Sequence, residues 1–173
     1  MTHWYMLTLV GRDQPGIVAR LTAALYDGGC NLGAASMLRL AGNFTIMLMA
    51  QHEGTTETLV TLVEPVAQAL DLHLHVDRIE AHLHQHLEPD VRITVHGADR
   101  AGIVAQVTAA LADAGLNILD LESDLAGSAA QPIYVLHIEG LTRDGVEALR
   151  TALAGLAQAG IEVRIEPIET MLG

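Results

Sequence analysis

Two short stretches of this chain place groups together that could do chemistry. The first is Asp13, Gln14, Pro15 and Gly16, followed by Asn31; the second is Asp99, Arg100, Ala101 and Gly102, followed by Asn117. Each run precedes an apolar segment with helical spacing. A loop entering a helix offers unpaired backbone amides and the positive end of the helix dipole, which suits an anion. Gly16 and Gly102 let a ligand approach the backbone closely. A carboxylate beside them repels phosphate but matches a zwitterion, whose carboxylate takes the amides and whose ammonium takes the aspartate. The chemistry therefore favours a free amino acid. The competing structural reading is that the aspartates cap their helices and the asparagines shape turns.

Other reactive groups are sparse. His82, His84 and His86 recur at every second position, with His73 and His75 before them. On an extended backbone they share one side roughly 7 Å apart, too divergent for one ion unless the chain bends. They are read as part of a solvated linker, and no metal or cofactor is expected. Cys30, the single cysteine, cannot form an intramolecular disulfide and is expected to be a small buried hydrophobe. Met6, Met37, Met47 and Met49 are expected mainly to fill the core. No Ser-His-Asp order, Cys-His pair at a helix start or framed carboxylate pair is evident, so a non-enzyme is expected.

The elements that position the two loops occur twice. Gly11, Asp13, Gly16, Ile17, Val18, Ala19, Thr22, Leu25, Asp27, Gly29 and Asn31 return at one constant offset as Gly97, Asp99, Gly102, Ile103, Val104, Ala105, Thr108, Leu111, Asp113, Gly115 and Asn117. Such a match implies duplication, with a period too long for a solenoid. The expected organisation is a domain over 1–80, a His-rich linker over 81–89 and a second domain over 90–173. Each half, at roughly 80 residues, would bury only about 60–65% of its unfolded surface, so packing against a neighbour is expected.

Within the first half, Trp4 to Val10 reads as a strand. Asp13 and Pro15 open a helix over Ile17 to Leu25, stopped by Gly28 and Gly29. Leu32 to Leu40 and Phe44 to Ala50 form a hairpin, with a tight reversal over Leu40-Ala41-Gly42-Asn43-Phe44. Thr55 or Thr56 caps a helix carrying Leu59, Leu62, Val63, Val66 and Leu70, and Leu72 to Ile79 is a strand. Met47 and Met49 oppose Phe44, Ile46 and Leu48, so the back of the sheet is expected to be covered. The order, strand, helix, strand, strand, helix, strand, is the split βαβ ferredoxin-like unit. The second half repeats it with Val91 to Val95, Ile103 to Leu111, Ile118 to Leu125, Ile133 to Ile138, Val146 to Leu156 and Ile161 to Ile168. Asp120, Glu122 and Asp124 there alternate with Leu119, Leu121 and Leu125 in a phase opposite to the first half, so one half is expected to fit the pattern poorly.

Charge and hydropathy bound the partners. Net charge is −12, the nine basic residues are all arginine, and only five residues are Phe, Trp or Tyr. A basic phosphate-binding face and aromatic stacking platforms are both lacking, so direct nucleic-acid binding is not expected. No segment reads as a membrane span or signal peptide, and a cytoplasmic protein is expected.

The loop-helix-asparagine stretch in each half resembles the D-R-P-G-I-V…L…G-x-N-I pattern of ACT domains, small ferredoxin-like regulatory modules that bind amino acids. Two such domains and nothing else resemble the glycine cleavage system transcriptional repressor family. The resemblance implies an α+β fold of two βαββαβ domains with antiparallel sheets and helices on one face. It implies ligand sites at the first loop and the opening of the second strand, often between modules: Asp13, Gln14, Pro15, Gly16 and Asn31, then Asp99, Arg100, Ala101, Gly102 and Asn117. It further implies a homodimer acting on a partner protein, such as a DNA-binding regulator. Gln14 and Ala101 depart from the pattern. The rival expectations are an acylphosphatase-like small hydrolase, which shares the element order and a loop anion site, and an interaction module with vestigial loops.

Overall fold

The computed structural model describes residues 2–80, 87–98, 101–128 and 131–168. They belong to two compact units, Met1–His84 and Gln85–Gly173. The first contains β1 (His3–Arg12), α1 (Ile17–Asp27), β2 (Asn31–Leu40), β3 (Asn43–His52), α2 (Thr56–Ala69) and β4 (Leu72–Ile79). Its sheet runs β2-β3-β1-β4, with every neighbouring pair antiparallel. Alternation along β1 sends Tyr5, Leu7 and Leu9 to one side, where Ile17, Leu21 and Leu25 of α1 and Leu59 and Val63 of α2 close over them. Fully burying one such side chain contributes about 1.5–3 kcal/mol.

The ends of these elements follow from local chemistry. Thr55 and Thr58 form a capping box at the start of α2. At the end of α1, the Gly29 amide donates to Tyr26 and the Cys30 amide to Leu25, a Schellman closure that needs Gly29 at φ 72°. Ala41 and Gly42, at φ 48° and 80°, make the tight reversal between β2 and β3. One expectation is corrected at α1. Pro15 lies before the helix, Gly16 at φ 87° is the N-cap, and no side chain caps it. The buried stripe of α1 is Ile17, Leu21 and Leu25, and Val18 lies outside it at 40% exposure.

The second unit contains β5 (Val91–Ala98), α3 (Ile103–Asp113), β6 (Leu116–Ser128), β7 (Gln131–Thr142), α4 (Val146–Leu153), a 3-10 segment (Ala154–Ala159) and β8 (Ile161–Pro167). The sheet order β6-β7-β5-β8 repeats the first unit. Leu156 falls in the 3-10 segment rather than in α4, and Ile168 just beyond β8.

The register of β6 overturns the expected mismatch. Both second strands carry one extra residue at corresponding places, between Leu32 and Ala35 and between Ile118 and Asp120. Beyond it Ala35 lies opposite Leu48 and Leu121 opposite Ile138, each a core-facing residue. The bulge turns Leu121 and Leu125 to the helix side and Asp120, Glu122 and Asp124 to the back. The two halves thus share one phase.

The methionines are also corrected. Met49 is buried, but Met37 and Met47 are 50% and 48% exposed. Met47 lies on the back of the first sheet, on the same face as Met49.

Candidate functional site

The first loop leaves β1 at Arg12 and is tied down on both sides. The Asp13 amide donates to the Gly42 carbonyl at 3.0 Å, in the hairpin turn. Gln14 Nε2 donates to the Leu70 carbonyl at 2.6 Å, where α2 ends. The Asp13 carboxylate does not cap α1. It pairs instead with the Arg39 guanidinium near the end of β2. Since no side chain caps α1, its first turn keeps backbone donors directed outward.

These elements enclose a cleft of about 500 Å³ lined by Asp13, Gln14, Pro15, Gly16, the first turn of α1, Met37, Arg39 and Phe44. The size is within the usual range for small-molecule sites. One wall is apolar, through Pro15, Ile17, Met37 and Phe44; the other has one carboxylate, one guanidinium and a helix N-terminus. Arg39 was not among the residues expected to line a site. It is the one charged residue in β2, and that isolation was the available signal.

Asn31 does not join this cleft within the unit. It opens β2 opposite Gln51, whereas Arg39 near the other end of the strand lies opposite Phe44. Eight residues of strand place them about 26 Å apart.

The second loop repeats the backbone geometry, with Gly102 at φ 90° and no side-chain cap on α3. Ala101 is exposed in the turn before it. Asp99 and Arg100 lie outside the described residues, as do His82, His84 and His86. Leu125, opposite Tyr134, stands where Arg39 stands opposite Phe44, so the cation of the first cleft has no counterpart on this strand. Asn117 lines a different cleft of about 560 Å³ with Gly115, Thr142 and Arg143, at the opposite end of β6 from Leu125.

Cys30 is buried in the first core, with Sγ 3.6 Å from His52 Nδ1. Burial pushes its thiol pKa up. The neutral thiol is a core group, as the sequence suggested. Among the described residues no cluster of three or more His, Cys, Asp or Glu is arranged for a metal. No helix there is long and apolar enough to cross a membrane.

Residues 3–77 and 91–157 each match the ACT-domain family. The chain belongs to that family, with two ACT domains in tandem. Among its curated relatives is the glycine cleavage system transcriptional repressor of Escherichia coli (strain K12), 27% identical over 138 residues that cover 79% of this chain and 73% of the relative. Two solved structures share the fold across nearly the whole chain. An unknown protein from Galdieria sulphuraria aligns with TM-score 0.77 and 23% identity, over 98% of this chain and 100% of that one. A structure provisionally assigned as a glycine cleavage system transcriptional repressor aligns with TM-score 0.71 and 20% identity, over 98% and 99%. This chain is thus a tandem ACT regulatory protein related to that repressor.

Proposed function

We propose that this ACT protein responds to a free amino acid held in the Asp13–Arg39 cleft and acts on a partner protein, in transcriptional regulation of the glycine cleavage system. The observation that carries the reading is the meeting of an uncapped helix N-terminus, a guanidinium and a carboxylate in one cleft. An α-carboxylate would take the α1 amides and Arg39, and an α-ammonium would take Asp13. The ligand has to part Asp13 from Arg39. The arginine is 68% exposed, and an exposed pair contributes only about 0–1 kcal/mol, so this opening costs little. Asp13 also disfavours an acyl phosphate, which counts against the hydrolase alternative.

Asn31 would enter the same site from a second copy of the chain. Antiparallel pairing of two β2 edges about a two-fold axis sets the start of one strand beside the end of the other, bringing the partner's Asn31 to the Arg39 end. Ligand bound there would favour one arrangement of modules by its differential affinity, which is the shift a partner protein would read. The net charge of −12 points to action through a DNA-binding partner rather than on DNA itself.

Calorimetric titration with glycine and the other common amino acids tests this. One of them is expected to bind, and Arg39→Leu, which copies Leu125 of the second unit, to weaken it roughly 10- to 100-fold, the equivalent of about 1.5–3 kcal/mol for a bond to a charged group. Asn31→Ala should weaken it as well. Binding no tighter than millimolar for every amino acid, with all variants behaving alike, would sink the proposal. Hydrolysis of an acyl phosphate by the pure protein would favour the rival.

A further inference from the structure

Two apolar side chains that the first unit leaves outside its core both line the Asp13–Arg39 cleft. Val18, in the first turn of α1, is 40% exposed, and Met37, on β2, is 50% exposed. The second unit treats the same positions differently. Val104, the counterpart of Val18, packs against its core, and Ser123 stands opposite Leu136 where Met37 stands opposite Ile46. The polar side chains of the first cleft are already engaged. Among the described residues its ionised ones are Asp13 and Arg39, and Gln14 is held by its bond to the Leu70 carbonyl. Once the α-carboxylate and α-ammonium of a ligand take the ionised pair and the α1 amides, the wall left to meet its side chain is the apolar one.

We infer that this cleft selects an amino acid with an aliphatic or thioether side chain over glycine and over amino acids with charged or amide side chains. The inference rests on the reading of the cleft as an amino-acid site and adds what the ligand's side chain must be. Length follows from strand geometry. Met37 and Arg39 are two residues apart on one face of β2, so their Cα atoms are about 7 Å apart. A ligand anchored by its carboxylate at Arg39 spans that distance only through a side chain, and glycine leaves Met37 and Val18 uncovered. Polarity follows from what lines the wall. A charged or amide side chain laid on Val18 and Met37 loses water without gaining a partner, whereas the flexible methionine moulds to an apolar one. Each methylene fully covered contributes about fourfold in affinity, so half-covering the four carbons of leucine contributes at least about tenfold over glycine.

Calorimetric titration of the full chain with leucine, asparagine and glycine is the test, since asparagine has nearly the shape of leucine without its apolarity. Leucine should bind about 10- to 100-fold more tightly than either. Met37→Ser, which copies Ser123 of the second unit, should cut the leucine-to-glycine ratio at least fourfold. Val18→Ser serves as a second variant should Met37→Ser lose its far-ultraviolet dichroism. Asparagine matching leucine would show that polar groups read the side chain and would overturn the inference. A leucine-to-glycine ratio that the variants leave unchanged would overturn it too. Glycine binding as tightly as leucine would overturn it while leaving the amino-acid site standing, whereas binding by none of the common amino acids would remove both.

Discussion

The two units of this chain build one fold twice and then use its surfaces differently. Much of the core recurs: Leu7, Leu9, Leu21, Leu25 and Leu59 return as Ile93, Val95, Val107, Leu111 and Leu149, all fully buried. Their surfaces diverge. The first has an arginine beside its loop where the second has Leu125, and methionines behind its sheet where the second has an ion pair. Duplication has kept what folding requires and freed what solvent sees. That division gives the first unit the Asp13–Arg39 pair beside its loop and the Met6–Met49 pair behind its sheet, and gives the second the Arg92–Glu139 ion pair behind its own.

The sharpest way to break the equivalence is at the positions where the two cores differ. Gly140 of β7 corresponds to Ala50 of β3, each opposite the residue just before the bulge. A Cβ at Gly140 would lie 2.5 Å from the Asn117 carbonyl, a backbone atom that cannot rotate away. Gly140→Ala should therefore cost about 2–3 kcal/mol, at the upper end for overpacking, measured by urea unfolding. A loss below half a kilocalorie would show that the second bulge is softer than its register implies.

A smaller effect is expected between the helices. Gly28 ends α1 against Leu62, whose Cδ2 would lie 2.0 Å from an added Cβ. The corresponding residues of the second unit are Ala114 and Ala152, a larger residue facing a smaller one. Gly28→Ala should destabilise, offset in part by lower unfolded-state entropy. Combined with Leu62→Ala it should cost less than the sum of the single changes, by about 1 kcal/mol of coupling. Strict additivity would mean that the exchange is not compensatory.

Much of the fold was legible because the duplicated residues are those that decide local structure. Gly29 supplies the left-handed stop, Ala41–Gly42 the reversal, Thr55 the cap, and the Ile17-Leu21-Leu25 stripe the buried face. The bulge was not legible. One extra residue in β6 changes the phase without any marking residue, and alternation read straight through it gives the wrong side. The N-terminus of α1 was misread because Pro15 and Asp13 fit the usual preferences for a first turn and a cap. Gly16 in the left-handed region ends that fit. Of the first cleft, the sequence pointed to the loop that enters α1, but not to the residues that meet it there. Asp13 meets Arg39 only because β2 returns alongside β3, and Asn31 is carried away by the length of the same strand.

The mildest test concerns the backs of the sheets and isolates apolarity from charge. Arg92→Met with Glu139→Met gives the second sheet the Met6–Met49 pair of the first and leaves the net charge at −12. Arg92 is 55% exposed, so removing its ion pair should change stability by no more than about 1 kcal/mol. Sedimentation over graded concentrations should nevertheless show stronger self-association than the wild type, because the surface gained is apolar and the charge is constant. Unchanged association would mean that two methionines are insufficient without Trp4, Val10, Leu38 and Leu40, which share the back of the first sheet. In that event the extent of the first face, rather than its methionine pair, separates the two units.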